Sequence, residues 1–250
     1  DGRTVTVNIG GDDGDPKLVI TDLLPHLGQE QNKKTLAEGI TGEQLNLLLG
    51  SKPVSGEGSD RVKLSVMQLL NEKYGITEDD FTSAELEAVP AVKATEIGLD
   101  RSMIGAYGHD DRVCGYAALR ALLDMDKTPV KTSVCVLADK EEIGSDGVTG
   151  MQSAAFDTFL EDLWAALRVC LENSFCLSAD VTAAYDPNFS DVYEKKNAAY
   201  LNYGIGLCKY TGARGKSGAS DASAETVGYV RGIFERANVI WQIAELGKVD

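Results

Sequence analysis

The sequence has no uninterrupted apolar run of the roughly 18 residues that a membrane-crossing helix needs, so no such span is expected. It is poor in positive charge: 24 Lys and Arg face 39 Asp and Glu, for a net charge of -15. An acidic surface of that size argues against nucleic acid or an anionic membrane as the main partner. Histidine is scarce too, with His26 and His109 alone in 250 residues. The five cysteines (Cys114, Cys135, Cys170, Cys176 and Cys208) form no CxxC pair. An odd, scattered set predicts reduced, buried thiols in a cytoplasmic protein, not a disulfide framework or a zinc knuckle. The opening DGRTVTVNIGGDDGDP is polar and acidic, unlike a signal or transit peptide.

What is present suits a globular enzyme. Hydrophobic residues make up 43%, enough for a core, and 250 residues allow one large domain or two modest ones. Residues 4–9 alternate at period two and predict a strand, as do 17–21 and 83–89. Residues 42–49 and 62–74 predict helices, the second from Val62, Val66, Leu69, Leu70 and Tyr74 at helical spacing, with Gly75 as its C-cap. From about residue 101 the pattern changes. Residues 110–124 predict a helix, 150–170 a long helix, and 222–246 a mostly helical run. The runs 133–138 (SVCVLA), 176–179 and 204–208 predict strands, the first two buried. Strand and helix in alternation imply an α/β domain with a largely parallel or mixed sheet. No internal repeat or low-complexity tract interrupts it.

Carboxylates gather where such a sheet places its chemistry. Glu141 and Glu142 follow the run SVCVLADK, and Asp180 follows FCLSA. Active sites of open α/β sheets lie at the carboxyl ends of their strands. The segment GHDDRV (108–113) opens a helix with His109, Asp110 and Asp111. One aspartate there is accounted for by capping, and two beside an arginine exceed what capping requires. An EE pair on a solvated loop is ordinary, whereas beside a buried edge it needs a cation or donors. Together the acids suit oxygen ligation of metal. Two zinc ions about 3.5–4 Å apart can share one bridging carboxylate, with one further acid on each. A remaining glutamate can then take a proton from water.

At MIGAYGHDDRVCGYAAL (103–119), DKEEIGSDGVTGMQS (139–153) and SADVTAAYDPNFSDVYEKKN (178–197) the chain resembles the aspartyl aminopeptidase and aminopeptidase I family of dinuclear zinc exopeptidases. The resemblance runs through nearly the whole chain, and the order of EEIGS, GMQS and SAD…PN is specific. It implies release of N-terminal residues from peptides at two Zn2+ ions, or at another divalent metal such as Mn2+ or Co2+. It implies that Asp110 bridges the metals, Glu142 ligates one and Asp180 the other, and Glu141 acts as general base. Asp111 and His109 fall beside these, as supporting neighbours. The family's fold is a catalytic α/β/α sandwich interrupted by a smaller, β-rich α+β domain used in assembly. Residues 1–98 match most of that insertion, and residues 99–250 the middle of the catalytic domain. Members form tetrahedral dodecamers, which implies a homo-oligomer taking short peptides into an interior chamber. Two family histidine ligands have no counterpart here, so the resemblance is to an internal fragment lacking both outer flanks. Asp186 stands in YDPN where relatives commonly show HPN. A related zinc hydrolase of other specificity, and a metal-free assembly module, are the competing readings.

Overall fold

The computed structural model describes residues 3–148, 150–164, 167–210 and 221–247, apart from the side chains of Glu142 and Ile143. The chain forms two compact units, Asp1–Tyr107 and Gly108–Asp250.

In the first unit, β1 (Val19–Ile20) pairs antiparallel with β2 (Leu47–Leu48). The stretch 42–49, expected as a helix, is instead one 3-10 turn, Gly42–Gln44, followed by β2. Thr41 and Gln44 cap each other at the turn's start. The Asn46 side chain donates to the Glu43 carbonyl at 2.6 Å, taking the acceptor that a continuing helix would use. Helix α1 (Arg61–Tyr74) forms as its apolar spacing predicts. Val62, Val66, Leu70 and Tyr74 are half-buried, whereas Leu69 faces outward. Gly75, at φ +72, ends the helix by donating its N–H to the Asn71 carbonyl. A 3-10 turn, Glu78–Thr82, follows, capped by Thr77 with Asp80. The bond from the Thr77 backbone holds the Asp80 carboxyl below its ordinary range. The hairpin of β3 (Thr95–Ile97) and β4 (Met103–Gly105) closes the unit. Residues 4–9 and 83–89, expected as strands, form no strand among the described residues, and 17–21 shortens to the two residues of β1.

The second unit carries α2 (His109–Leu123), α3 (Glu141–Gly144), α4 (Ala155–Leu163), α5 (Leu167–Glu172), β5 (Ile205–Leu207), α6 (Ala224–Arg236) and β6 (Trp241–Ile243). Strands β5 and β6 are parallel, with α6 as the crossover between them. This is the βαβ unit of α/β proteins. Ser223 caps α6 by accepting from the Thr226 N–H. The run expected to stay helical to 246 stops at Arg236, and Asn238, at φ +52, turns the chain into β6. The long helix expected over 150–170 splits into α4 and α5, because Trp164 is extended (φ -138, ψ 115).

The runs 133–138 and 176–179, expected as buried strands, join no ladder among the described residues. Val134 and Leu137 remain 45% and 58% exposed. An apolar run specifies burial preference but not the partner that makes a strand, and a ladder must be supplied from elsewhere in the chain. No disulfide joins the five cysteines, and Cys176 and Cys208 are exposed where burial was anticipated.

Among the described residues the buried hydrophobic side chains are Leu160, Ala198, Ala199, Val230 and Ala244, all in this second unit. Ala244 directly follows β6, and Ala198 and Ala199 lie between residues 197 and 200, which bond to Glu245 and Gln242. A Cβ at Gly206 would meet that of Ala244 at 2.6 Å, so the two strands close together only with glycine there. The Gln242 side chain accepts from the Tyr200 N–H at 2.8 Å and donates back to the Tyr200 carbonyl at 2.9 Å, tying residue 200 to β6. No helix among the described residues is long and apolar enough to cross a membrane.

Two glycines give a paired stability test. Gly204 sits at φ +92, and a Cβ there would run into the Ile240 carbonyl. Gly228 lies mid-helix in α6 with open space around it. Gly204→Ala is expected to lower stability by about 1–3 kcal/mol, read as a drop in the urea midpoint. Gly228→Ala is expected to raise it by about 0.5–1 kcal/mol. A thiol titration of the unfolded, unreduced chain should count five free sulfhydryls.

Candidate metal centre

The centre begins where the chain enters α2. Gly108, at φ +66, precedes the helix, and a Cβ there would meet the Arg112 guanidinium at 2.5 Å. The guanidinium could swing aside, so it is the left-handed backbone that calls for glycine. Asp110 (φ -77, ψ 115) and Asp111 (φ -110, ψ 15) depart from helical angles, so regular helix starts at Arg112. The two aspartates therefore form a bent entry to the helix, not its first regular turn, and a cis peptide bond joins them.

Asp180 comes from the extended stretch after FCLSA, and its Oδ1 accepts from the Val181 N–H at 2.7 Å. Two residues on, the Thr182 methyl lies 3.5 Å from where a Gly206 Cβ would sit, so this stretch rests on β5.

Asp110, Asp111 and Asp180 each present a carboxylate oxygen within 4.8 Å of the other two, and all three residues are exposed. Three negative charges so close repel one another. A divalent cation among them turns the repulsion into attraction, and carboxylate oxygens are donors that such ions accept. The donor set therefore fits a divalent metal.

Cys114, one turn along α2 from these acids, is half-buried. Burial pushes its thiol up to about 11, helped by the Asp111 carboxylate beside it and the charges of Asp180 and Asp110. It stays a neutral thiol at neutral pH and not a thiolate ligand. Its nearness to the acids was missed from the sequence, where the cysteines look merely scattered. The signal was its place three and four residues after Asp111 and Asp110, one helical turn away.

The other predicted residues stand as follows. Glu141 is the first residue of α3, exposed, with its carbonyl accepting from the Ser145 hydroxyl at 2.8 Å. It is not part of the aspartate trio. Glu142 follows it in α3, and its side chain lies outside the described residues. His109 is exposed at the start of α2, beside the trio in sequence but not a member of it. His26 lies exposed in the first unit. Asp186 acts as a turn former: it caps the 3-10 helix Pro187–Val192 by accepting from the Asn188 N–H at 2.8 Å.

Comparison with known proteins bears on this geometry. Residues 3–250 match the M18 peptidase family, described as aminopeptidase I zinc metalloprotease. Over its full length the chain is 50% identical to a probable M18 family aminopeptidase 1 of Clostridium acetobutylicum, and covers 56% of that protein. An M18-family aminopeptidase structure from Thermotoga maritima matches at a TM-score of 0.88 and 46% identity, over 100% of this chain and 56% of that one. The yeast protein mApe1, solved as a dodecamer, shares the fold at a TM-score of 0.57 and 22% identity, over 85% of this chain and 50% of its own. The chain thus spans little more than half the length of the relatives it matches. The parallel β5–α6–β6 unit agrees with an α/β peptidase fold. With the carboxylate-bearing segments lying inside a match over residues 3–250, the chain belongs to the M18 family of aminopeptidase I zinc metalloproteases.

Proposed function

We propose that the protein carrying this chain is a metalloaminopeptidase that hydrolyses N-terminal residues from peptides at a dinuclear zinc centre, and that this chain supplies the centre's carboxylates. The observation that carries the proposal is the convergence of Asp110 and Asp180, from separate stretches of chain, within 4.8 Å. In this reading Asp110 would be shared by the two ions, with Asp180 holding one and Glu142 the other. Asp111, whose carboxylate is also within reach, and His109 support them. Zinc accepts oxygen ligands, and Mn2+ or Co2+ could replace it at so carboxylate-rich a site.

Zinc, when bound, supplies Lewis acidity to the scissile carbonyl and to water. The chain's own residues supply the rest. The three aspartates fix the site's negative charge and orient it. Glu141, at the start of α3, takes a proton from the attacking water on a carboxylate oxygen and returns it to the leaving amine nitrogen. Its exposure leaves the carboxylate free to exchange protons with substrate and water.

The proposal extends to organisation. Residues 1–98 are assigned to an inserted β-rich assembly domain and residues 99–250 to the catalytic domain. A homo-oligomer, a dodecamer as in mApe1, would enclose the sites and admit short peptides. The net charge of -15 supports a protein without nucleic-acid or membrane partners, and cysteines outside any disulfide support a cytoplasmic one.

Glu141→Gln in the whole protein tests the assignment. It is expected to retain zinc by elemental analysis and to lower kcat on an aminoacyl anilide about 100-fold to 10,000-fold. Zinc loss in that variant would make Glu141 a ligand and overturn its role as base.

A further inference from the structure

Glu245 is the one buried charged side chain among the described residues, 4% exposed, and the chemistry above does not use it. It sits two residues past the carboxyl end of β6. Its Oε1 accepts from the Lys209 N–H at 3.0 Å, and its Oε2 from the Tyr210 N–H at 3.1 Å, two and three residues past the end of β5. The Cys208 sulfur lies 3.5 Å from the same Oε2. Glu245 is itself fixed, since its N–H donates to the Asn197 carbonyl at 2.8 Å.

A carboxylate buried at this depth costs folding energy unless donors compensate it. Here both oxygens accept from backbone N–H groups of the chain just beyond the neighbouring strand. The clamp locks the carboxyl ends of two parallel strands in register, the edge at which α/β folds hold their reacting groups. It also bears on the metal centre. Gly206 of β5 carries Thr182, which is two residues from Asp180. A shift of β5 along β6 would therefore move the support on which Asp180 rests.

Resting on the proposed metal centre, we infer that Glu245 is a positioning residue, which acts through β5 to hold Asp180 where a divalent cation can reach it together with Asp110. Outer groups that orient metal ligands typically change metal affinity about 10-fold to 100-fold when removed.

The test compares Glu245→Ala, Glu245→Gln, Gln242→Ala and Asp180→Ala in the whole protein, reading zinc affinity by chelator competition alongside the melting temperature. Glu245→Ala is expected to weaken zinc binding about 10-fold to 100-fold. Glu245→Gln keeps one oxygen acceptor and should recover part of that loss. Gln242→Ala strips β6 of its bonds to Tyr200 and Gly204 without touching the clamp, so it should lower the melting temperature and leave zinc affinity unchanged. If Glu245→Ala melts early but binds zinc normally, or Gln242→Ala weakens zinc equally, the positioning role is overturned. If Asp180→Ala also leaves zinc affinity intact, the metal-centre reading falls with it. If Asp180→Ala alone abolishes binding, only the role of Glu245 is lost.

Discussion

Mutual repulsion among Asp110, Asp111 and Asp180 is the constraint from which the functional account follows. Three carboxylate oxygens within 4.8 Å are unfavourable as a bare set and favourable around a divalent cation. The local structure serves that set. Gly108 turns the chain into α2, the bent backbone at Asp110 and Asp111 brings two acids to the helix entry, and Asp180 arrives from a stretch supported by β5. The half-buried Cys114 remains a neutral thiol beside them, held protonated by its burial first and by the neighbouring carboxylates second.

The second unit organises this support around one short parallel pair. The β5–α6–β6 crossover needs Gly206 for close strand contact and Gly204 for the approach to Ile240. Gln242 and Glu245 then pin neighbouring chain to β6 from either side: residue 200 through the amide, residues 209 and 210 through the carboxylate. Few of the described residues are buried; Ala244 lies between Gln242 and Glu245, and Ala198 and Ala199 lie between residues 197 and 200, which bond to Glu245 and Gln242.

Local signals in the sequence were legible where a single element decides its own shape. Helix α1 follows from apolar spacing and ends at Gly75 because glycine alone adopts φ +72 without cost. Helix α2 and its acidic entry were equally readable. Elements that depend on a distant partner were not. Residues 133–138 and 176–179 have the composition of buried strands, yet a ladder requires a neighbour that composition does not name. Residues 42–49 lost their helix to the competing Asn46 side chain, and 150–170 broke at Trp164. At the candidate site, Asp180 was marked by its place after an apolar run and Asp110 by an acidic helix entry, but their joint role came from resemblance to a family, since nothing local says that residues 70 apart in sequence approach one another. Glu245, in the run AEL, looks like any surface helix glutamate until the fold buries it.

The central claim is that Asp110 and Asp180 share a divalent metal centre. Anomalous X-ray diffraction at the zinc edge, on crystals of the whole protein grown with zinc, tests it most directly. Anomalous peaks are expected about 2.0–2.2 Å from carboxylate oxygens of both residues. Anomalous density bound only elsewhere, away from both aspartates, would rule the shared centre out.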